Sequence, residues 1–299
     1  MNVELLKKVC FLFGPTGREA LFVEYLKKEL SDAGFEVSID NLGNLKGFRG
    51  KEPYELFVTN TDQRSWVVEH KDAEGVMHLK TLPSGPVQEG GWALDEKGNR
   101  YLVSPSCDGK EQRAEPLFAG DISAGTFLVR APEFFETDNS IYASALSDRL
   151  ASAILLELAS KSGEIKKPVA FLFYTGKHLG YMGLTSSMAG MSVSNTFVLE
   201  AMPSPSQNSE GSVLLPVRTQ RSIPSSNTRE YVSDLAAKEK VVVRNTINLE
   251  HSSASDILAR AGLECAVLGI PLERYAQGVE KVRKTDYDAL LKLVWRLVK

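Results

Sequence analysis

Apolar residues recur at helical spacing through residues 17–34 (Leu21, Phe22, Tyr25, Leu26, Leu30), which predicts an amphipathic helix stopped by Gly34; residues 2–12 read as a shorter helix before it. EVSIDNLGNLKGF then folds back at Asn-Leu-Gly-Asn between two strand-like pieces, and ELFVTN at 55–60 has the continuous apolar character of a buried strand. From about residue 65 to 141 the texture changes. Short alternating runs (WVVEH, VMHLKTL, RYLVSP, GTFLVRA) are separated by Gly, Pro and Asn with no convincing helix, the pattern of a small β-barrel or sandwich. Helix–strand alternation then resumes. LSDRLASAILLELASKS, GYMGLTSSMAG, TREYVSDLAAKEK, SASDILARAG and TDYDALLKLVWRLVK read as helices, interleaved with the strands PVAFLFY, NTFVLEA, KVVVRN and ECAVLGIP. In the last helix Leu290, Leu293, Val294 and Leu297 form the apolar stripe, and Asp286 and Asp288 suit its N-terminal dipole. Residues 203–212 (PSPSQNSEGS) read as a polar loop between strand and helix. The fold class expected is α/β: a mostly parallel sheet covered by helices, formed by residues 1–64 plus 142–299, with an inserted small β-barrel domain at 65–141.

Charge narrows the function classes. Lys plus Arg number 35 against 38 Asp plus Glu, a net charge of −3, so the basic footprint of a nucleic-acid binder is missing. The three cysteines, Cys10, Cys107 and Cys265, are far apart without CxxC spacing and are expected as reduced, buried thiols. The opening MNVELLKKVCFLFG carries two lysines within its apolar run and lacks a small-residue cleavage site. No uncharged stretch approaches the roughly 20 residues of a membrane span. The expectation is a soluble, cytoplasmic protein with no membrane partner.

Five segments, in order, carry a family resemblance: VSIDNLGNLKGFRG, AGDISAGTFLVRAPEFF, ALSDRLASAILLELA, FLFYTGKHLGYMGL and LGIPLERYAQGVEKV. The set resembles the co-catalytic metallo-aminopeptidases of the glutamyl or deblocking aminopeptidase type, also known as the endoglucanase M type, over nearly the whole chain. The resemblance implies a zinc-peptidase-like fold, large homo-oligomers, and two zinc or cobalt ions that polarise a scissile carbonyl and activate a bridging water.

Set against the family motifs, the ligand positions have changed. The His of the family's H-x-D corresponds to Asn60, with the supporting Asp62 retained. The bridging Asp of D-D-R corresponds to Ser147, with Asp148 and Arg149 retained as supporting residues. The paired glutamates, base and ligand, correspond to Lys177 and His178 after Gly176. The next ligand corresponds to Glu200 and the last, the His of R-Y-x-H, to Gln277, while Ser-Ser-Ala-Ser-Asp at 252–256 replaces a Gly-Gly-Thr-Asp-Ala loop. Amides and a hydroxyl are poor zinc ligands beside imidazole and carboxylate. The residues therefore predict no bound metal and no cofactor, and a cation, Lys177, pairing with Glu200 in the metals' stead. The first functional expectation is a catalytically inactive relative with a binding, scaffold or assembly role. It would be a homo-oligomer, would co-assemble with an active relative, or would hold a peptide in the old cleft. The alternative is a hydrolase. One form is a repurposed Ser147/His178 pair oriented by Glu200 or Asp148, though without a G-x-S-x-G elbow. The other is a mononuclear site built from His178, Glu200 and either Asp62 or His251. His70 and His78, in the insert, are expected to face solvent, and no carboxylate pair suggests a glycosidase.

Overall fold

Val169–Tyr174 is buried at all six positions. In the computed structural model, which describes residues 1–84, 90–105, 112–116, 122–187, 190–205 and 210–299, this strand shows how the main sheet is covered. Phe171 and Phe173 enter one apolar layer, while Ala170, Leu172 and Tyr174 enter another on the opposite face. That is the two-residue period of a strand sandwiched between helices. Tyr54–Asn60, Val193–Pro203 and Ala266–Leu272 follow it in parallel register. The hairpin of Glu36–Ile39 and Leu45–Arg49 adds antiparallel strands at one side. At the other, Ser212–Arg218 runs antiparallel to Ala266–Leu272 and parallel to Val242–Ile247, completing eight strands. Helices Val3–Phe11, Ala20–Asp32, Leu146–Ala159, Ser226–Lys238 and Lys284–Val298 cover the face with Phe171. The shorter Met182–Ser187 and Ala254–Arg260 cover the other.

Six antiparallel strands, from Ser65–Lys71 to Phe127–Arg130, close into a barrel, so none is left as an edge. Trp66, Met77, Tyr101 and Leu128 fill its interior, and the Trp66 indole donates to Gln112 at 2.6 Å. Phe134–Glu136, Ser140–Ala143 and Glu280–Arg283 form a separate three-stranded sheet that links the chain after the barrel to the C-terminal region.

The structure corrects three local expectations. Residues 203–212 join two strands rather than a strand and a helix, because SVLLPVR at 212–218 is itself a strand. Its Pro216, an unfavourable residue inside a ladder, falls at a register shift. The GYMGLTSSMAG helix reduces, among its described residues, to Met182–Ser187, because Gly176–Gly180 form a tight turn first. His78 does not face solvent: it is half-buried, 3.2 Å from Asp72, with its ring stacked 4.3 Å from that of the exposed His70. Cys10 and Cys265 are free and buried, and burial pushes both thiols up to about 12; Cys107 lies outside the described residues. Among the described residues, no helix is long and apolar enough to cross a membrane.

Candidate functional site

The carboxyl ends of parallel strands are where open α/β sheets gather ligand-binding groups. Here Tyr54–Asn60 ends on Asn60, and Thr61 and Asp62 follow. Val169–Tyr174 is followed by Thr175, Gly176 and a single 3₁₀ turn, Lys177–Leu179. Gly176 sits at φ +71, a left-handed conformation that costs glycine little, and this starts the turn. Asp62 then fixes it: its carboxylate accepts from the backbone N–H groups of Lys177 (3.1 Å) and His178 (3.0 Å) and from the Thr16 hydroxyl (2.8 Å). A neighbouring backbone conformation, Ala145 at φ 61, opens helix Leu146–Ala159 and sets Ser147 and Asp148 in its first turn.

These elements bring four of the sequence-derived residues together. Asp148 Oδ1 lies 3.0 Å from Lys177 Nζ, 3.2 Å from His178 Nε2 and 3.5 Å from Asn60 Nδ2, while Oδ2 accepts from the backbone of Arg64 at 3.1 Å. Asn60 Oδ1 also accepts from Lys177 Nζ at 3.4 Å. The lysine side chain is 10% exposed and the aspartate 1%, so this is an ion pair removed from water. Burial by itself disfavours both charges. The Lys177 ammonium, with help from His178, nonetheless holds the Asp148 carboxyl well below the usual carboxylate range. For Lys177 burial acts downward, but Asp148 outweighs it and the ammonium is raised above its ordinary value. Arg149 is buried beneath, donating to Thr61 O and Gln63 Oε1 at 2.6 Å each and stacking on Phe22.

Lys177 is thus paired with Asp148, not with Glu200. The physical reason is burial: Glu200 lies beside Ser253 and Ala254, where helix Ala254–Arg260 begins, and burial favours its neutral form, so it offers Lys177 less charge than Asp148 does. Burial raises Glu200 to about 7. Ser253→Ala removes the capping box of that helix, and is expected to cost about 1–2 kcal/mol in chemical denaturation.

Ser147 and His178 have separate partners. The Ser147 N–H donates to Glu280 Oε2 at 2.7 Å, and the same carboxylate accepts from Ala276 N at 2.7 Å. Burial raises Glu280 to about 7. Sequence reasoning missed Glu280, although it closes the LERYAQGVEKV segment that carried part of the resemblance. Gln277 is exposed at the rim of the cleft. Among the described residues, no three His, Cys, Asp or Glu side chains converge where they could hold a metal ion; His178, Glu200 and Asp62 or His251 do not.

A cleft of about 880 Å³ opens over this cluster, between the main sheet and the barrel. Its walls include Trp66, Arg64, Tyr275 and His251, with the Arg64 guanidinium 5.9 Å from the Tyr275 ring and the His251 ring 5.1 Å from it. The model of the M42 glutamyl aminopeptidases matches residues 106–293, more than half of the chain. The chain belongs to this family. A lysyl aminopeptidase of Pyrococcus furiosus is 22% identical over 340 aligned positions, which cover 99% of this chain and 96% of that protein. Among solved structures, a TET aminopeptidase from a marine-sediment Thaumarchaeota archaeon superposes with a TM-score of 0.88 at 17% identity, covering 99% and 96% of the two chains. The Pyrococcus horikoshii TET1 peptidase, described as assembling into a tetrahedron or a large octahedral shell, has a TM-score of 0.85 at 17% identity and coverage of 99% and 98%. The α/β sheet with its barrel is therefore the architecture of the M42 peptidases.

Proposed function

We propose that this M42 chain is a non-hydrolytic member whose cleft is held together by an internal ion pair in place of a metal pair, and whose role is binding or assembly. The observation that carries the reading is the Lys177 ammonium, 3.0 Å from Asp148 and 3.4 Å from Asn60. Two zinc or cobalt ions need several anionic or imidazole ligands and a carboxylate bridge. The corresponding positions here hold an amide at Asn60, a hydroxyl at Ser147 and an amide at Gln277. Of the two carboxylates nearby, Asp148 is already paired with Lys177, and burial raises Glu200 to about 7, which favours its neutral form. A dication arriving beside a fixed ammonium would be repelled rather than bound. The donor set does not fit the ions. Homo-oligomerisation is part of the proposal, supported by the shells described for the TET1 relative.

The second reading, peptide hydrolysis with unusual ligands, is favoured by the aminopeptidase names of the relatives. Calorimetric titration of zinc and cobalt into the metal-stripped chain, with Glu200→Ala as control, separates the two. The expected result is no tight equivalent and no release of lysine or glutamate from chromogenic amides. Two tight equivalents lost in Glu200→Ala, with turnover, would overturn the proposal.

A further inference from the structure

We infer that this cleft takes its ligand by a carboxylate, the C-terminus of a peptide or acylated amino acid, and rejects a free N-terminal ammonium. The inference rests on the reading of the cleft as metal-free, and follows from a tally of which polar groups are already used.

The buried acids around the cleft are occupied or do not line the cavity. Asp148 accepts from Lys177 and the Arg64 backbone, and Asp62 from Thr16 and two backbone N–H groups. Glu280 accepts from Ser147 and Ala276, and Glu200 does not line the cavity. Asp95 accepts from Lys97, Asn99 and Tyr101. An incoming ammonium would therefore find no spare buried acceptor, and would meet two fixed cations.

Donors are in the opposite condition. The Arg64 Nε atom is buried and has no hydrogen-bond partner among the described residues. His178 Nε2 is likewise buried and unaligned with Asp148, 3.2 Å away, so a ring protonated on that nitrogen brings a second donor; its side chain is 4% exposed. Lys177 Nζ carries three N–H groups and makes two bonds. Arg64, Lys177 and His178 all line the same cavity. Buried donors left unmade are costly, and a ligand that satisfies them recovers that cost.

Carboxylate fits this arrangement better than a multiply charged anion. The guanidinium is a planar fork that matches a carboxylate in two places. Asp148 balances the Lys177 charge, so Arg64 leaves the site with close to one net positive charge. Tyr275 and Trp66 supply apolar walls for the side chain that accompanies the carboxylate. The remaining acids, Glu96 and Glu250, are exposed at the mouth, where solvent and salt weaken them. A cavity of about 880 Å³ is large enough for several residues of a peptide.

The experiment is calorimetry on the full chain with five probes: N-acetyl-leucine, leucine amide, an N-acetylated tripeptide as free acid, the same tripeptide as C-terminal amide, and inorganic phosphate. Binding of both free acids, with the amides at least about tenfold weaker, is expected from the loss of one charge-assisted interaction. Tighter binding of the tripeptide acid than of N-acetyl-leucine would identify a peptide terminus as the ligand; the reverse order would identify a small acyl amino acid. Arg64→Ala should weaken the acids about tenfold or more with an unchanged melting temperature, and Arg64→Lys should restore part of the loss. Equal binding of acid and amide, preference for leucine amide, tighter phosphate binding, or no binding at all would each overturn the inference. A zinc titration on the same preparation keeps the two readings apart. Tight zinc uptake sinks the metal-free cleft, whereas no zinc and no acid preference sinks only the carboxylate site.

Discussion

Lys177→Met is expected to lower the unfolding free energy by about 3–5 kcal/mol, because it strands the Asp148 carboxylate in a buried site with no cation beside it. The shape of the side chain is nearly kept, so the loss reports charge rather than packing. Asp148→Asn should cost a similar amount by stranding the ammonium. The double variant Lys177→Met/Asp148→Asn should recover much of the loss, since two neutral groups can share the space. Denaturant melts of the four proteins form the measurement. Additive losses in the double variant would show that the pair is not the unit it is taken to be. The direction with pH follows from the lowered Asp148 carboxyl. A depressed acid adds stability above its unfolded value near 3.9, and that contribution disappears only as pH falls through the still lower folded value. The Lys177→Met chain should lack this acid-side loss.

At the alkaline side the cleft works in the opposite sense. Glu200 and Glu280 are both raised by burial to about 7, from a model-compound value of 4.5. A raised acid holds a proton in the folded chain that the unfolded chain has already released. Its stabilising contribution is full below about pH 4.5 and is lost as pH rises through about 7. Each carboxyl accounts for roughly 3 kcal/mol over that window. Asp286, raised to about 6, adds to the same trend, whereas the half-buried His251, lowered by burial, opposes it. The chain should therefore denature at a lower urea concentration at about pH 8 than at about pH 5, the reverse of a protein dominated by surface carboxylates. Glu280→Ala should be less stable overall and lose part of that slope. An equal or higher midpoint at about pH 8 would contradict the account.

The fold was legible because its strands declare themselves: VAFLFY has no polar residue, and its two faces differ only in which helices they meet. The barrel was legible from alternation and turn residues alone. The strand Ser212–Arg218 was not, since Pro216 breaks the pattern and the polar run before it looks like a helix approach. In the site, motif order located Asn60, Lys177, His178 and Asp148, and the structure brings these four into one cluster. It could not say which carboxylate would answer Lys177. That depends on where the first turn of helix Leu146–Ala159 points Asp148, and on how deeply Glu200 is buried, both tertiary facts. Glu280 was written in the sequence but had no partner there until Ser147 and Ala276 were placed against it.

The buried Lys177–Asp148 pair also has an evolutionary consequence. A metal centre and an internal ion pair are two answers to the same surplus of negative charge, and they exclude each other. Starting from this chain, returning any one ligand by a single substitution adds an acid or an imidazole beside an ammonium that still occupies the space. Removing the ammonium first leaves Asp148 uncompensated, at about 3–5 kcal/mol, a large part of the stability of an ordinary domain. Every single-step path from this chain to a metal centre therefore passes through a protein that folds worse. On the proposed metal-free reading Lys177 acts as a ratchet: with it in place, a metal centre is harder to build than to do without.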